Sequence, residues 1–272
     1  MTLPIDLVLV RHGQSEGNLA KRRSEAGDHS AFTKEFRRRH SASFRLTIKG
    51  REQAQQAGEF LRKEFTGEGI AFDRYYTSDY LRAMETAGGL ELPNASWYRD
   101  FYLTERDWGE LDIYPEDERE RKFMVELRRR KVEPFFWKPP NGESFAELSL
   151  RIDRVLHTLH RECSDKRVII VCHGEVMRAF QVRLERLSQE RFKELVSSRN
   201  RDDRIYNCQI LHYTRRYPFD KSLPPLPYAG WVRWIRPTGT SITSSDWREI
   251  KRPRYSNAEL LEIVSRTPAM VE

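Results

Sequence analysis

Leu7-Val8-Leu9-Val10-Arg11-His12-Gly13 is an apolar run that stops abruptly at a cation, an imidazole and a glycine. Val168-Ile169-Ile170-Val171-Cys172-His173-Gly174 repeats the pattern far down the chain. A short continuous apolar run closed by a turn residue reads as a strand buried on both faces. In open α/β sheets, ligands gather outside the carboxyl ends of such strands. Placed in one parallel sheet, the two runs deliver His12 and His173 to the same edge. Two imidazoles and the Arg11 guanidinium then share one crevice, which suits a phosphoryl group. A lone histidine after a strand is ordinarily a loop residue. The pair, with Gln14, Ser15 and Asn18 following the first, is a constellation.

The rest of the chain alternates between strand and helix signals. Further strand-like runs lie at Phe72–Tyr76 and Ile205–Tyr213. Thr47–Phe65 and Ser144–Cys163 carry apolar residues near the helical period, with Thr47 placed to cap the first. Ser78 or Asp79 is placed to cap a helix through Met84 and Ala87, which Gly88-Gly89 ends. Gly174 opens another helix through Val176, Met177, Phe180 and Leu184. This alternation predicts an α/β fold: a mostly parallel central sheet flanked by helices on both faces. Two polar stretches interrupt it, Asn18–Arg45 and Asp112–Pro140. The first reads as a partly ordered loop with a short helix. The second, with helix potential over Glu118–Arg130, reads as a lid insertion. From Thr214 the chain turns rich in Pro and Trp. Residues 1–213 are therefore expected to form the main domain, and residues 214–272 a carboxy-terminal extension packed on it.

Composition narrows the classes. The 272 residues are 38% hydrophobic and 33% charged, with 48 Lys+Arg against 41 Asp+Glu and a formal net charge of +7. The cationic residues are spread rather than confined to a tail, apart from Arg37–Arg39 and Arg128–Lys131. That distribution fits a small anionic substrate or a solvated surface better than a nucleic-acid partner, which is not expected. Three cysteines without paired spacing point to no disulfide and a reducing, cytoplasmic setting. Met1–Leu9 lacks the form of a secretory signal, and no run is long enough to span a membrane. His157 and His160 stand three apart with no third ligand evident, so no metal site is expected. His29, His40 and His212 are expected to have no catalytic part. The oligomeric state is not legible.

Several further segments fall in a recognisable order. Arg11-His12-Gly13-Gln14-Ser15-Glu16-Gly17-Asn18 is followed by Leu46–Ala54, by Tyr76-Thr77-Ser78-Asp79-Tyr80-Leu81-Arg82, and by Leu103-Thr104-Glu105-Arg106-Asp107-Trp108-Gly109. Asn141-Gly142-Glu143-Ser144-Phe145 and the second His-Gly complete the series. This series resembles the histidine phosphatase superfamily, the phosphoglycerate mutase-like proteins, over about residues 5–213. The resemblance implies a catalytic domain there and leaves the extension unexplained. It implies that His12 is a nucleophile forming a phosphohistidine, that Arg11, Arg82 and His173 hold the phosphoryl oxygens, and that no cofactor takes part. Glu105 is the candidate proton donor to the leaving oxygen, with Asp107 as runner-up and Glu110 behind it. A carboxyl beside a phosphate dianion is pushed toward its protonated form, which suits that role. Gly13, Gln14, Ser15, Asn18, Arg106, Trp108, Gly174 and Glu175 are the expected binding residues. Arg128 and Arg129 are placed to approach the substrate from the lid, or to form a solvated helical face. The expected activity is metal-independent hydrolysis of a small phosphorylated metabolite. A phosphoglycerate mutase is the alternative: Glu105-Arg106 leans to it, and Asn18–Arg45 departs from it.

Overall fold

The computed structural model describes residues 1–66, 72–238 and 243–270. Residues 239–242 and 271–272 of the expected extension lie outside the described residues. The strands are β1 (Asp6–Arg11), β2 (Arg74–Ser78), β3 (Trp97–Asp100), β4 (Arg167–Cys172), β5 (Ile210–Thr214), β6 (Trp231–Arg236), β7 (Thr243–Ser244) and β8 (Arg248–Glu249). The helices are α1 (Glu16–Glu25), α2 (Lys34–Arg38), α3 (Ile48–Leu61), α4 (Leu81–Gly89), α5 (Glu116–Lys122), α6 (Met124–Val132), α7 (Phe145–Glu162), α8 (Gly174–Glu185), α9 (Gln189–Ser197) and α10 (Asn257–Ser265).

The strands form one sheet in the order β3-β2-β4-β1-β5-β6-β7, with β8 also on β6. β1, β2, β3 and β4 pair in parallel. β5, β6, β7 and β8 continue the sheet antiparallel. The sheet is thus mixed, not mostly parallel as the alternation suggested. The four parallel strands are joined by helical crossovers; α8 and α9 also precede β5, so helix content alone does not set its direction. β5 instead returns along the free edge of β1 in the opposite direction, and the following strands add in the same sense.

The central strands β1 and β4 are apolar through their middles because both faces of the sheet are covered there. Leu7 and Leu9 of β1 join one core, with Phe145, Leu148 and Ile152 of α7 and Val176, Met177 and Phe180 of α8. Val8 and Val10 point the other way, into a core with Ala54, Ala57 and Leu61 of α3 and Ala83 and Ala87 of α4. Thr47 caps α3 as its sequence suggests, and Ser144 with Glu147 forms a capping box at α7.

The polar stretches are more regular than expected. Ser15 and Asn18 form the capping box of α1, and α2 follows. The second stretch holds two helices, α5 and α6, broken at Phe123, and not one. It docks on the first stretch: the Glu116 amide donates to Ser24 Oγ at 2.7 Å, and Arg37 grips Glu118 through two nitrogens. In the extension, β6 buries Val232 in one core and Ile235 in the other, while every residue of α10 is exposed. Among the described residues, no helix is long and apolar enough to cross a membrane, and all three cysteines are free and buried.

Candidate active site

Strand register brings the two His-Gly segments together. Arg11 of β1 lies beside Cys172 of β4, and the His12 amide donates to the Cys172 carbonyl at 2.9 Å. The imidazoles of His12 and His173 therefore leave the sheet side by side, ring centroids 5.1 Å apart and nearly edge to face. Both are buried.

The turn after β1 exists only because two glycines meet. A Cβ on Gly13 would stand 2.2 Å from the Gly50 carbonyl oxygen, and one on Gly50 would stand 2.0 Å from that of Gln14. No real contact is that short, so the His12 turn and the first turn of α3 interlock through bare backbone. The Gly13 amide donates to Thr86 Oγ1 on α4 at 3.0 Å, closing the turn from the other side.

Geometry fixes the His12 tautomer. Nδ1 lies 2.7 Å from the Gly13 carbonyl oxygen, an acceptor only, so Nδ1 carries the proton. Nε2 then presents its lone pair and accepts from Arg82 Nε at 3.2 Å. Burial, with the charges of Arg82 and Arg11 behind it, holds the His12 pKa well below its ordinary value, so the ring is neutral near pH 7. His173 is held neutral in the same way, by burial first. Its Nε2 pairs with Ser78 Oγ at 2.8 Å.

The guanidinium groups are braced by backbone carbonyls rather than carboxylates. Arg82 Nη1 donates to Ser41 at 2.6 Å, and Arg11 Nη1 to Ile205 at 2.6 Å. Their charges thus remain available to an anion. Arg11 Nε and His173 Nδ1 are buried with no hydrogen-bond partner among the described residues. Gly174 opens α8 beside the Arg11 side chain.

The acid-bearing loop forms the facing wall. Gly109 takes a φ of +52°, and a Cβ there would stand 2.1 Å from the Pro140 carbonyl oxygen. The loop is thereby pressed against Pro139–Glu143, where the Glu143 amide donates to Asp107 at 2.8 Å. Glu105 is raised to about 7, by burial first and then by the Glu175 carboxylate, against the pull of Arg82 and Arg11. Arg106 is buried, donating to the carbonyls of Glu143 and Trp137, and lies 3.6 Å from Glu175.

His12, His173, Arg11, Arg82, Gly13 and Gly174 thus meet at the carboxyl ends of β1 and β4, with Glu105 and Glu175 close enough to act on the Arg11 charge and Arg106 buried beside Glu175 and Trp108. Gln14 and Ser15 are engaged elsewhere, Gln14 with Gln53 and Thr47, Ser15 as the α1 cap. Asn18 accepts from Asn207 Nδ2 at 3.0 Å. Arg128 and Arg129 turn to solvent, with Arg129 3.4 Å from Glu126. Arg130 points inward instead, its guanidinium 4.6 Å from the Trp108 ring centroid, with Arg106 at 4.7 Å from the same ring. One face of a short helix can look inward, and periodicity within a basic run does not say which arginine lies on it. Ser78 is not the side-chain cap of α4, whose first flanking residue is Tyr80; its hydroxyl goes to His173 and the Tyr80 amide. Asn207 donates to the His12 carbonyl at 3.0 Å and carries no local sequence signal. Tyr80 stacks edge-on to His173 and under Arg82.

A mixed α/β sheet with two buried imidazoles and two carbonyl-braced guanidinium groups at its carboxyl edge defines a class of phosphate-handling fold. The chain belongs to the histidine phosphatase superfamily (branch 1), whose family model matches residues 7–202. A 2,3-bisphosphoglycerate-dependent phosphoglycerate mutase of Parvibaculum lavamentivorans is 32% identical over 205 residues, 69% of this chain and 83% of that protein. A 6-phosphofructo-2-kinase/fructose-2,6-bisphosphatase of Gallus gallus is 29% identical over 176 residues, 64% of this chain and 32% of that protein. Solved structures share the fold at lower identity. A mycobacterial glucosyl-3-phosphoglycerate phosphatase complexed with VO3 has a TM-score of 0.59 at 22% identity, over 76% of this chain and 92% of its own. A protein described as mycobacterial hydrolase 2 matches 98% of both chains, at a TM-score of 0.58 and 19% identity.

Proposed function

We propose that this protein hydrolyses a small phosphorylated metabolite through a phosphohistidine on His12, without a metal ion. One observation carries the reading: a neutral imidazole whose Nε2 lone pair is held only by the displaceable Arg82 Nε–H stands in the same cluster of buried charges as a carboxyl raised to about 7. A nucleophile and a proton donor are thus both in their working protonation states near pH 7.

In the first step Nε2 of His12 attacks phosphorus and the bond to the leaving oxygen breaks. Glu105 gives that oxygen its proton. In the second step water attacks phosphorus, the phosphorus–Nε2 bond breaks, and Glu105 takes the proton of the water. His12 returns to its neutral tautomer and inorganic phosphate leaves. Arg82 Nε releases His12 Nε2 as the substrate enters and donates to a phosphoryl oxygen, beside Arg11 Nε and a proton on His173 Nδ1. The two guanidinium groups and the neutral His173 donor do for the equatorial oxygens what a metal does elsewhere.

A phosphoglycerate mutase is the second reading. It is supported by Arg130, a further cation held at the Trp108 ring beside Arg106 and placed to meet a second anionic group. The mutase relatives support it as well. Incubation with a panel of phosphorylated metabolites in chelator, including 3-phosphoglycerate with and without 2,3-bisphosphoglycerate, separates the two. Free phosphate with little isomerised product is expected. Isomerisation outrunning phosphate release favours the mutase. Retained turnover in His12→Ala overturns both.

A further inference from the structure

A cavity of about 830 Å³ lies away from His12, between α8, α9 and the carboxy-terminal strands. Its volume falls within the usual range of small-molecule sites. Leu187, Leu195, Val232 and Trp234 supply apolar walls. Two glutamines, Gln181 and Gln209, also line it, although both are almost wholly buried, at 4% and 1% exposure. Their orientations are set: Gln181 Oε1 accepts from Arg178 Nη1 at 2.5 Å, and Gln209 Oε1 accepts from the Tyr206 amide at 2.7 Å. Neither amide nitrogen donates to any described residue, so each glutamine keeps an N–H₂ group free to donate to a ligand.

Charge decides the kind of ligand. Three arginines reach the cavity, but each already holds a carboxylate: Arg248 takes Glu185 at 2.7 Å, Arg236 takes Asp202 at 3.1 Å, and Arg191 takes Glu194 at 2.7 Å. With the cations engaged and Asp246 and Asp203 also on the lining, the site does not favour a phosphate. It offers two amide donors, carboxylate acceptors and the indole of Trp234. We infer that it binds an uncharged planar heterocycle with an acceptor edge and hydroxyl groups, of the nucleoside class.

The same site reports to the active site. Gln209 turns its side chain to the cavity, while its carbonyl accepts from the Arg11 amide at 3.0 Å. Arg178, which orients Gln181, also donates to the Asp203 carbonyl. Between these points Ile205 braces Arg11, and Asn207 braces the His12 carbonyl. Segment 203–209 therefore has one side on the cavity and the other on the phosphoryl crevice. A ligand that shifts this segment changes the crevice by linkage.

Calorimetric titration of the full chain with adenosine, guanosine, cytidine and uridine tests the assignment. Orthovanadate, a phosphoryl mimic, serves as the probe of the other site. At least one nucleoside is expected to bind with a Kd below about 1 mM. It is expected to shift vanadate affinity by about fivefold in either direction. Ser244→Trp, on an exposed strand at the cavity wall, and Gln181→Leu should each weaken nucleoside binding about tenfold or more. Vanadate affinity without nucleoside should be unchanged in Ser244→Trp; Gln181→Leu also removes an acceptor of Arg178, which holds segment 203–209, so only its nucleoside binding is read. Absence of binding by all four nucleosides, equal binding by both variants, or unchanged vanadate affinity overturns the inference. Vanadate failing to bind at all counts against the phosphoryl site instead, because the nucleoside titration is read directly.

Discussion

At the scale of single residues, the reading rests on the protonation of Glu105 and His12. Burial acts on both but in opposite senses of charge: it makes the carboxyl harder to ionise and the imidazole harder to protonate. Glu105 is protonated below about 7 and loses its proton above it. If it is the leaving-group acid, kcat/KM for an alkyl phosphate falls as pH rises through about 7. His12, held low, stays neutral across this range. Glu105→Gln should remove that descending limb and lower kcat/KM for alkyl esters by about 10²–10⁴. For 4-nitrophenyl phosphate the loss should be much smaller, because that leaving oxygen needs little protonation. Equal losses on both esters, measured over pH 5–9 (a span of about four units around the Glu105 value), exclude Glu105 as the donor.

Elements hold these residues in place through close backbone contact and buried ion pairs. Glycine to alanine inside a helix ordinarily adds about 1 kcal/mol of stability. Gly50 sits in the first turn of α3, yet Gly50→Ala puts a methyl group 2.0 Å from the Gln14 carbonyl oxygen. The collision outweighs the propensity gain, since overpacking typically costs about 1–3 kcal/mol. The variant should melt lower than the parent and lose at least about tenfold in kcat/KM, because the displaced turn carries His12. A higher melting temperature contradicts the interlock. At the other end of β1, Asp6 accepts from His212 Nε2 at 3.0 Å and lies 3.6 Å from Arg167 and Arg216. Burial alone raises its pKa, but the His212 and Thr214 hydrogen bonds and Arg216 overcome this and bring it to about 2. A depressed carboxylate pKa stabilises the fold above its unfolded value, and that stability is lost as pH falls toward the folded value. Asp6→Asn should therefore cost about 2 kcal/mol at pH 7, and the gap to the parent should close between about pH 4 and pH 2. Denaturant unfolding at several pH values measures it; a gap independent of pH contradicts the assignment.

Across the whole molecule, the carboxy-terminal stretch divides into two unlike parts. β6 shields β5, and its Val232 and Ile235 enter the two cores. A chain ending at Thr214 exposes a long apolar edge and should aggregate or lose cooperative unfolding. α10 buries nothing among the described residues. Deleting residues 257–272 should change stability by no more than about 0.5 kcal/mol. Thermal melts of the two truncations give opposite outcomes if β6 alone is structural.

The sequence by itself determined which residues meet. Two apolar runs ending in His-Gly, Arg82 after a strand, and Glu105 in its short loop were all legible, because chemistry that needs particular side chains at strand ends leaves local patterns. Alternation of strands and helices likewise declared an α/β fold and two covered faces. Only the tertiary structure decided the direction of β5–β8, since an apolar run reads the same whichever way it pairs. It also chose Arg130 over Arg128 and Arg129, and brought in Ser78, Asn207 and the backbone of Ser41 and Ile205. These act through contacts between residues far apart in the chain, and a pairing at a distance of nearly two hundred residues writes nothing into the local sequence at either end.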